Sequence, residues 1–475
     1  MASFNVSPEN KYELIIIGGG SAAFAAAIKA NDQEIKTLIV NGGLPVGGTC
    51  VNVGCVPSKF LIRAGEAVHK ASYSSFRGVM PQQPKVDFKE IIRQKKELVA
   101  DMQQRKYIDI LKELPYVKII EGFAAFVGER TIEVDGEQYG ALKVIIATGA
   151  TTYIPPIEGL DAVPSLTNET LFDMEEQPES MIILGAGYIG LEIAQAYSRL
   201  GTRVIILQRS ENILSKEAED LTSELRRYME EDGIQFLTGS TINRIWQEGD
   251  SIKVAYERAG ATPTIEASHL LVATGTKANT EELALDKVGV TVDERGHVLV
   301  DAYLQTSNPD VFAVGDVTSL PAFVYTAAYE GGLALQNAFY QPKQEVNFNG
   351  LSWVVFTDPQ VAGVGMDERE AELRGIPYQV TVLPLTEVPR SIAALDTRGF
   401  IKLIRNPETN LLLGARILAP EGSELSVEVG LAIRYNIPVH DLIATFHPYL
   451  TLSEGIKLAA LSFTMDVSKL SCCAA

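Results

Sequence analysis

Cysteine is scarce in this chain: four residues in 475, far too few for a secreted disulfide framework at this length. No apolar run approaches the ~20 residues that a membrane-spanning helix needs. Met1 to Lys11 shows no basic region followed by an apolar core, so no signal peptide is expected. Basic side chains are also in deficit, 41 Lys and Arg against 60 Asp and Glu, for a formal net charge of −19. Polyanions are repelled by such a chain, which excludes nucleic acid or an anionic membrane surface as its main partner. Low-complexity tracts and short solenoid repeats are missing as well. What remains is a cytoplasmic protein whose thiols stay reducible. Its content, 46% hydrophobic and 21% charged, gives ample core, and its length suggests roughly three domains.

The few cysteines are not scattered. Cys50 and Cys55 stand near a glycine-rich N-terminal motif, and Cys472 and Cys473 lie in the last four residues. Thiols used only in pairs point to redox or soft-metal chemistry. Adjacent cysteines make an awkward structural disulfide because the ring they close is small and strained. They suit a soft metal, since thiolates are the softest protein ligands, and a chain terminus suits a carrier arm.

Leu14-Ile15-Ile16-Ile17 is a β-branched run ending at Gly18-Gly19-Gly20, with an alanine-rich helix expected over Ser21 to Ala30. Strand, glycine turn and helix open a dinucleotide-binding unit. Gly18-x-Gly20-x-x-Ala23 fits the fingerprint that lets a backbone approach a pyrophosphate at a helix N-terminus. The next strand ends at Asn41, where an acidic ribose ligand usually sits; an amide would bind a hydroxyl more weakly. The pattern recurs after Met181 to Leu184 as Gly185-x-Gly187-x-x-Gly190. Its second strand ends at Gln208-Arg209-Ser210, without a carboxylate for a free 2′-hydroxyl. Arg209 suits a 2′-phosphate, so NADPH is expected over NADH; an ordinary surface arginine is the alternative. Strands end in Ala-Thr-Gly at Thr148-Gly149 and again at Thr274-Gly275, Phe88 to Leu114 reads as one long charged helix, and Asp135-Gly136 as a hairpin turn.

The stretch Gly47-Gly48-Thr49-Cys50-Val51-Asn52-Val53-Gly54-Cys55-Val56-Pro57-Ser58-Lys59 resembles the redox-active disulfide of the FAD-dependent pyridine nucleotide–disulfide oxidoreductases, and the resemblance covers essentially the whole chain. It implies an α/β protein with two Rossmann-like domains, for FAD and NADPH, and a C-terminal α+β dimerisation domain. The expected division is 1–155 for FAD, 156–280 for NADPH, 281–345 returning to the FAD domain, and 346–475 as interface domain with the Cys-Cys tail. The resemblance makes Cys55 the flavin-proximal thiol and Cys50 the exchanging one. It places Gly18, Gly20, Ala23, Asn41, Thr49, Lys59, Thr148, Gly149, Gly315 and Asp316 at FAD, and Gly185, Gly187, Tyr188, Gly190, Arg209 and Gly275 at NADPH. Lys59 is implied to pair with Glu192, and Tyr188 to cover the flavin until nicotinamide displaces it. The turn Thr276-Lys277-Ala278-Asn279 departs from the family's usual Arg-x-Pro-Asn.

The C-terminal segment separates the members of the family. Disulfide reductases carry a catalytic histidine five positions before a glutamate. Here Leu450-Thr451-Leu452-Ser453-Glu454 aligns so that Tyr449 takes that place, while His447 stands seven before Glu454. A phenol, with a pKa near 10, is a poor base for thiol exchange near neutral pH. The chain is here similar to the mercury-reducing members, over Phe446 to Ala459, Phe323 to Ala328 and the tail Lys469 to Cys473. That likeness implies Hg(II), arriving as a thiol complex, captured by Cys472 and Cys473 and passed to Cys50 and Cys55 of the other subunit of a homodimer, with help from Tyr107 and Tyr449. The separate Cys-x-x-Cys domain often found in that group has no counterpart here, so a core enzyme is expected. A dihydrolipoamide- or glutathione-type disulfide reductase and a metal-sequestering flavoprotein are the alternatives.

Overall fold

The strand Lys11–Ile17 is buried over Leu14 to Ile17, as a strand covered on both faces must be. In the computed structural model, which describes residues 6–470, it is central in a parallel set ordered Val117–Glu121, Thr37–Asn41, Lys11–Ile17, Glu137–Ile146. The short strand Val311–Ala313 closes this set against the end of Glu137–Ile146. The first half of Glu137–Ile146 instead pairs antiparallel with Thr131–Val134 across the Asp135-Gly136 turn. A second parallel sheet runs Gln235–Leu237, Arg203–Leu207, Ser180–Leu184, His269–Val272, Ser165–Leu166. Beyond residue 350 the sheet is antiparallel, with Ser352–Val355, Gln360–Gly365, Leu412–Ala419, Phe400–Arg405 and Gln379–Pro384 in that order. The fold class is that expected: α/β, with two dinucleotide folds and a C-terminal unit of another kind.

Two helix crossings position the site. The helices Ser21–Asp32 and Val324–Phe339 meet through small residues; a Cβ on Gly331 would fall 2.1 Å from the Ala22 carbonyl oxygen. The helix Cys55–Ser72 lies on Tyr188–Leu200, where a Cβ on Gly65 would come 3.0 Å from the Ala196 carbonyl. The long helix expected over Phe88 to Leu114 is interrupted. Phe88–Gln103, capped by Asp87 through the Glu90 amide, gives way to a π turn over Gln104–Ile108 and a last turn Asp109–Lys112. Among the described residues no helix is long and apolar enough to cross a membrane.

Candidate active site

Both glycine turns are built as the fingerprint requires. Gly18 and Gly185 adopt φ of 122° and 106°, and a Cβ there would fall 2.1 Å from the Ala147 oxygen and 2.4 Å from the Ala273 oxygen; only glycine tolerates both conditions. Gly20 and Gly187 are the N-caps of Ser21–Asp32 and Tyr188–Leu200, and no side chain caps either helix. First-turn N–H groups therefore face outward for an anion. Nothing lies within 4 Å of a Cβ on Gly187, and only the Gly48 Cα, at 3.9 Å, approaches one on Gly20.

Cys50 sits in the short helix Gly48–Val53, and Cys55 is the first residue of Cys55–Ser72, behind Gly54. Both are free thiols and half-buried. A hydrogen bond from Cys50 lowers the Cys55 pKa to about 7 against the opposing effect of burial, and Lys59 lowers it further. The same shared proton, with burial, raises Cys50 well above the ordinary thiol range. The pair is thus one thiolate and one thiol near neutral pH, at a helix N-terminus that favours the anion.

Lys59 Nζ lies 2.7 Å from Glu192 Oε2, with the lysine 35% and the glutamate 7% exposed. Glu192 Oε1 accepts from the Phe356 amide at 2.9 Å, and the Phe356 ring lies 4.5 Å below the ammonium. One carboxylate thereby joins the cysteine helix, the second glycine-turn helix and the C-terminal unit. Tyr107, on the π turn, packs edge-on to Phe24 at 4.8 Å and within 3.2 Å of a Cβ built on Gly47. Burial raises its pKa, a hydrogen bond with Ser21 opposes the rise, and the charges of Cys50 and Cys55 add to it. A π turn at a functional residue is a common arrangement.

Tyr188 stacks on Trp353 at 5.5 Å and 15°, and its phenol is pushed up to about 12, chiefly by burial. Tyr325, at about 12 through burial and the nearby charges of Tyr188 and Cys55, donates to the Ser352 carbonyl at 2.5 Å. Tyr449 belongs to a different element, the loop before helix Glu454–Leu461, and is 47% exposed. That loop is braced: the Leu450 amide donates to Glu454 Oε2 at 3.1 Å, and His447 Nε2 lies 2.6 Å from Glu428 Oε1. Cys472 and Cys473 lie outside the described residues.

At the return of the first fold, Asp316 follows Gly315 in a 3₁₀ turn. Burial raises its pKa, and its carboxylate has no hydrogen-bond or ion-pair partner among the described residues. Beside it the Gly315 amide donates to Glu330 Oε2 at 2.6 Å, while Glu330 Oε1 is buried without a partner. Two carboxyl groups with open oxygens at the end of a parallel sheet suit the hydroxyls of FAD, and the uncapped helix start beside them suits its phosphates. Thr148 Oγ1 donates to the Asn279 carbonyl at 2.7 Å and Asn279 Nδ2 to the Thr148 carbonyl at 2.9 Å, so the divergent turn still ties Thr148-Gly149 in place. Gly275, at φ 113°, accepts from the Tyr153 amide at 2.9 Å. Thr49 and Arg209 are exposed, and Ala23 is fully buried. Gln208 is committed elsewhere: its Oε1 accepts from the Ala186 amide at 3.0 Å and its Nε2 donates to Ser210 Oγ. Glu330 and Trp353 escaped the sequence reading, and Gln208 and Tyr325 entered it only as members of quoted stretches, without a role. Glu330 had a signal, as the sole charged residue of Val324–Phe339.

Residues 12–331 match the pyridine nucleotide-disulphide oxidoreductase family and 351–460 its dimerisation domain. The mercuric reductase of Staphylococcus aureus is 41% identical over 472 residues, spanning 99% of this chain and 86% of that protein. That of Bacillus cereus is 42% identical over 472 residues, 99% and 74% of the two chains. That of Streptomyces lividans is 41% identical over 469 residues, 98% of each. The solved structure of the HOCl-induced flavoprotein disulfide reductase RclA from Escherichia coli matches with a TM-score of 0.86 at 27% identity, over 96% of this chain and 100% of that one. The family implies FAD and NAD(P)H as cofactors and, through its dimerisation domain, a homodimer. With its dithiol pair, two glycine turns and full-length likeness, this chain belongs to the pyridine nucleotide–disulphide oxidoreductases, in their mercuric reductase branch.

Proposed function

We propose that this protein reduces Hg(II) to Hg(0) with electrons from NADPH. The observation that carries the proposal is the Cys50/Cys55 pair, in which Cys55 ionises at about pH 7, well below an ordinary thiol, with Cys50 hydrogen-bonded to it. Hg(II) favours sulfur donors. Cys50, the exchanging thiol, passes its proton to the Cys55 thiolate and displaces one outside thiol ligand, and Cys55 then displaces the second, its proton leaving with that ligand. Lys59 offsets the negative charge that collects there. FAD, held by Gly18, Gly20, Asp316 and the first-turn amides of Ser21–Asp32, would supply two-electron transfer from NADPH to this site. Two electrons on a bis-thiolate Hg(II) leave Hg(0) and two thiolates, so the balance is NADPH and Hg(II) to NADP⁺, Hg(0) and one proton.

Arg209 supports NADPH, because Gln208 is used within the glycine turn and leaves the arginine to meet the ribose substituent. We place Tyr188 over the flavin until nicotinamide arrives, and Tyr107 and Tyr449 beside the metal as phenol donors. Cys472 and Cys473 would take Hg(II) from its thiol complex and hand it by ligand exchange to Cys50 and Cys55 of the partner subunit, in the cytoplasm. The likeness to RclA favours a second reading, disulfide reduction; Tyr449 in the place of a histidine base opposes it. NADPH consumption with Hg(II), with a small disulfide and with neither, while volatile mercury is monitored, separates these from simple sequestration. The relay fails if the Cys472→Ala/Cys473→Ala double variant turns over Hg(II) held by bulky thiols as fast as wild type.

A further inference from the structure

Asn41 leaves the first dinucleotide fold without the carboxylate that ordinarily holds a ribose. We propose that Glu121 supplies it from the neighbouring strand, gripping the adenosine ribose of FAD. The parallel pairing of Thr37–Asn41 with Val117–Glu121 sets Asn41 directly opposite Glu121, each the last residue of its strand. The pairing persists past both ends, since the Gly122 amide donates to the Asn41 carbonyl at 2.8 Å. Asn41 is 3% exposed and both hydrogens of its amide nitrogen are engaged: Nδ2 donates to Glu121 Oε2 at 2.8 Å and to the Leu44 carbonyl at 3.1 Å. Its Oδ1 lies against the glycine turn, 2.0 Å from where a Cβ on Gly19 would stand.

Both donor hydrogens of Asn41 are therefore committed to protein acceptors, so the residue acts as a bracket. What it holds is a carboxylate, at the C-terminal edge of a parallel sheet beside the phosphate turn, where such folds bind nucleotides. Glu121 is exposed, and Oε2 to Asn41 is its sole side-chain hydrogen bond or ion pair among the described residues. Its other oxygen makes no hydrogen bond or ion pair among the described residues and is left for the hydroxyls of a ribose, and a charged acceptor binds a hydroxyl more strongly than an amide does.

The test is FAD affinity of the deflavo-protein, read by flavin fluorescence, with the fold of each variant checked by circular dichroism. Glu121→Gln keeps the shape and loses the charge, and is expected to weaken FAD by about ten-fold. An FAD analogue lacking the adenosine ribose 2′-hydroxyl should bind wild type more weakly by a similar factor, yet bind E121Q no worse than FAD does. Asn41→Asp, which restores the usual acid, should weaken FAD, because it sets two carboxylates side by side. The pair N41D/E121Q should return to within about three-fold of wild type, with a single carboxylate again bracketed by an amide. Unchanged FAD affinity in E121Q, or undiminished discrimination against the analogue, overturns the role of Glu121 alone. A wild-type chain that takes up no FAD overturns the flavin assignment itself.

Discussion

Cys50→Ala should strip Cys55 of the largest influence that lowers its pKa. In the dithiol protein the Cys50 hydrogen bond outweighs burial and sets Cys55 at about 7, with Lys59 contributing less. Without that bond, burial opposes Lys59 and the helix N-terminus, and the midpoint should return toward 9.0, the ordinary value for a thiol. At pH 7 the thiolate fraction then falls from about one half to about one hundredth. Reactivity falls less than that. A more basic thiolate is a better nucleophile, with a Brønsted slope of about 0.4–0.5, so alkylation at neutral pH slows by only about six-fold. The midpoint of the pH profile is therefore the proper readout, not the rate at one pH. It is measured by iodoacetamide labelling of Cys55 in prereduced protein, with thiolate absorbance as the second probe. Cys50→Ser keeps a donor and should hold the midpoint between those of wild type and the alanine variant. A midpoint that stays at about 7 in Cys50→Ala refutes the reasoning and hands the thiolate to Lys59 and the helix start.

The charges around the pair give opposite signs. Lys59→Met should raise the Cys55 midpoint and Glu192→Gln should lower it, since the lysine lowers and the glutamate raises that pKa; the same labelling profile checks both, and two shifts in one direction would contradict the electrostatics. Arg209→Glu should raise the KM for NADPH by about ten-fold or more and leave that for NADH nearly unchanged or improved, as expected for loss of a charge-assisted contact to a 2′-phosphate; steady-state kinetics with the two coenzymes decides it. Glu330 is buried and its carboxyl is raised from 4.5 to about 7. Between those values the unfolded chain binds fewer protons than the folded one at this position, so stability falls as pH rises through that window and stays lower above it. Glu330→Gln, whose oxygen can still accept from Gly315, should raise the Tm of the deflavo-protein at about pH 8 by the equivalent of up to about 3 kcal/mol, with no gain at about pH 4; equal shifts at both would locate the effect in packing.

What could be read from the sequence, and what could not, divides along the distance between interacting residues. The glycine turns are local: strand, turn and helix follow one another within about twenty residues, and the φ values at Gly18 and Gly185 repay the reading. The Cys50 and Cys55 thiols are local too, and the start of a helix at Cys55 follows from the chain around it. Lys59 and Glu192 stand 133 positions apart, and no periodicity couples them; family resemblance alone put them together. Tyr107 was named, but the π turn that carries it was not, because the charged pattern of Phe88 to Leu114 runs on without a proline or glycine to mark the break. Trp353 was invisible for a different reason, since its stacking on Tyr188 depends on how the C-terminal sheet docks against a helix of the second fold.

Asn41 shows how such a gap matters to function. Read along its own strand it is a departure from the fingerprint and a weaker ribose ligand. Read across the sheet it is one half of a pair, its amide committed to the carboxylate of Glu121. The fingerprint is written along one strand, whereas a ribose needs a carboxylate at a place in space. Parallel strands in register offer that place from either side, and which strand delivers the charge is decided by pairing, a property that enters only when the chain has folded. A departure in a one-dimensional motif is therefore a question to put to the neighbouring strand before it counts as a loss.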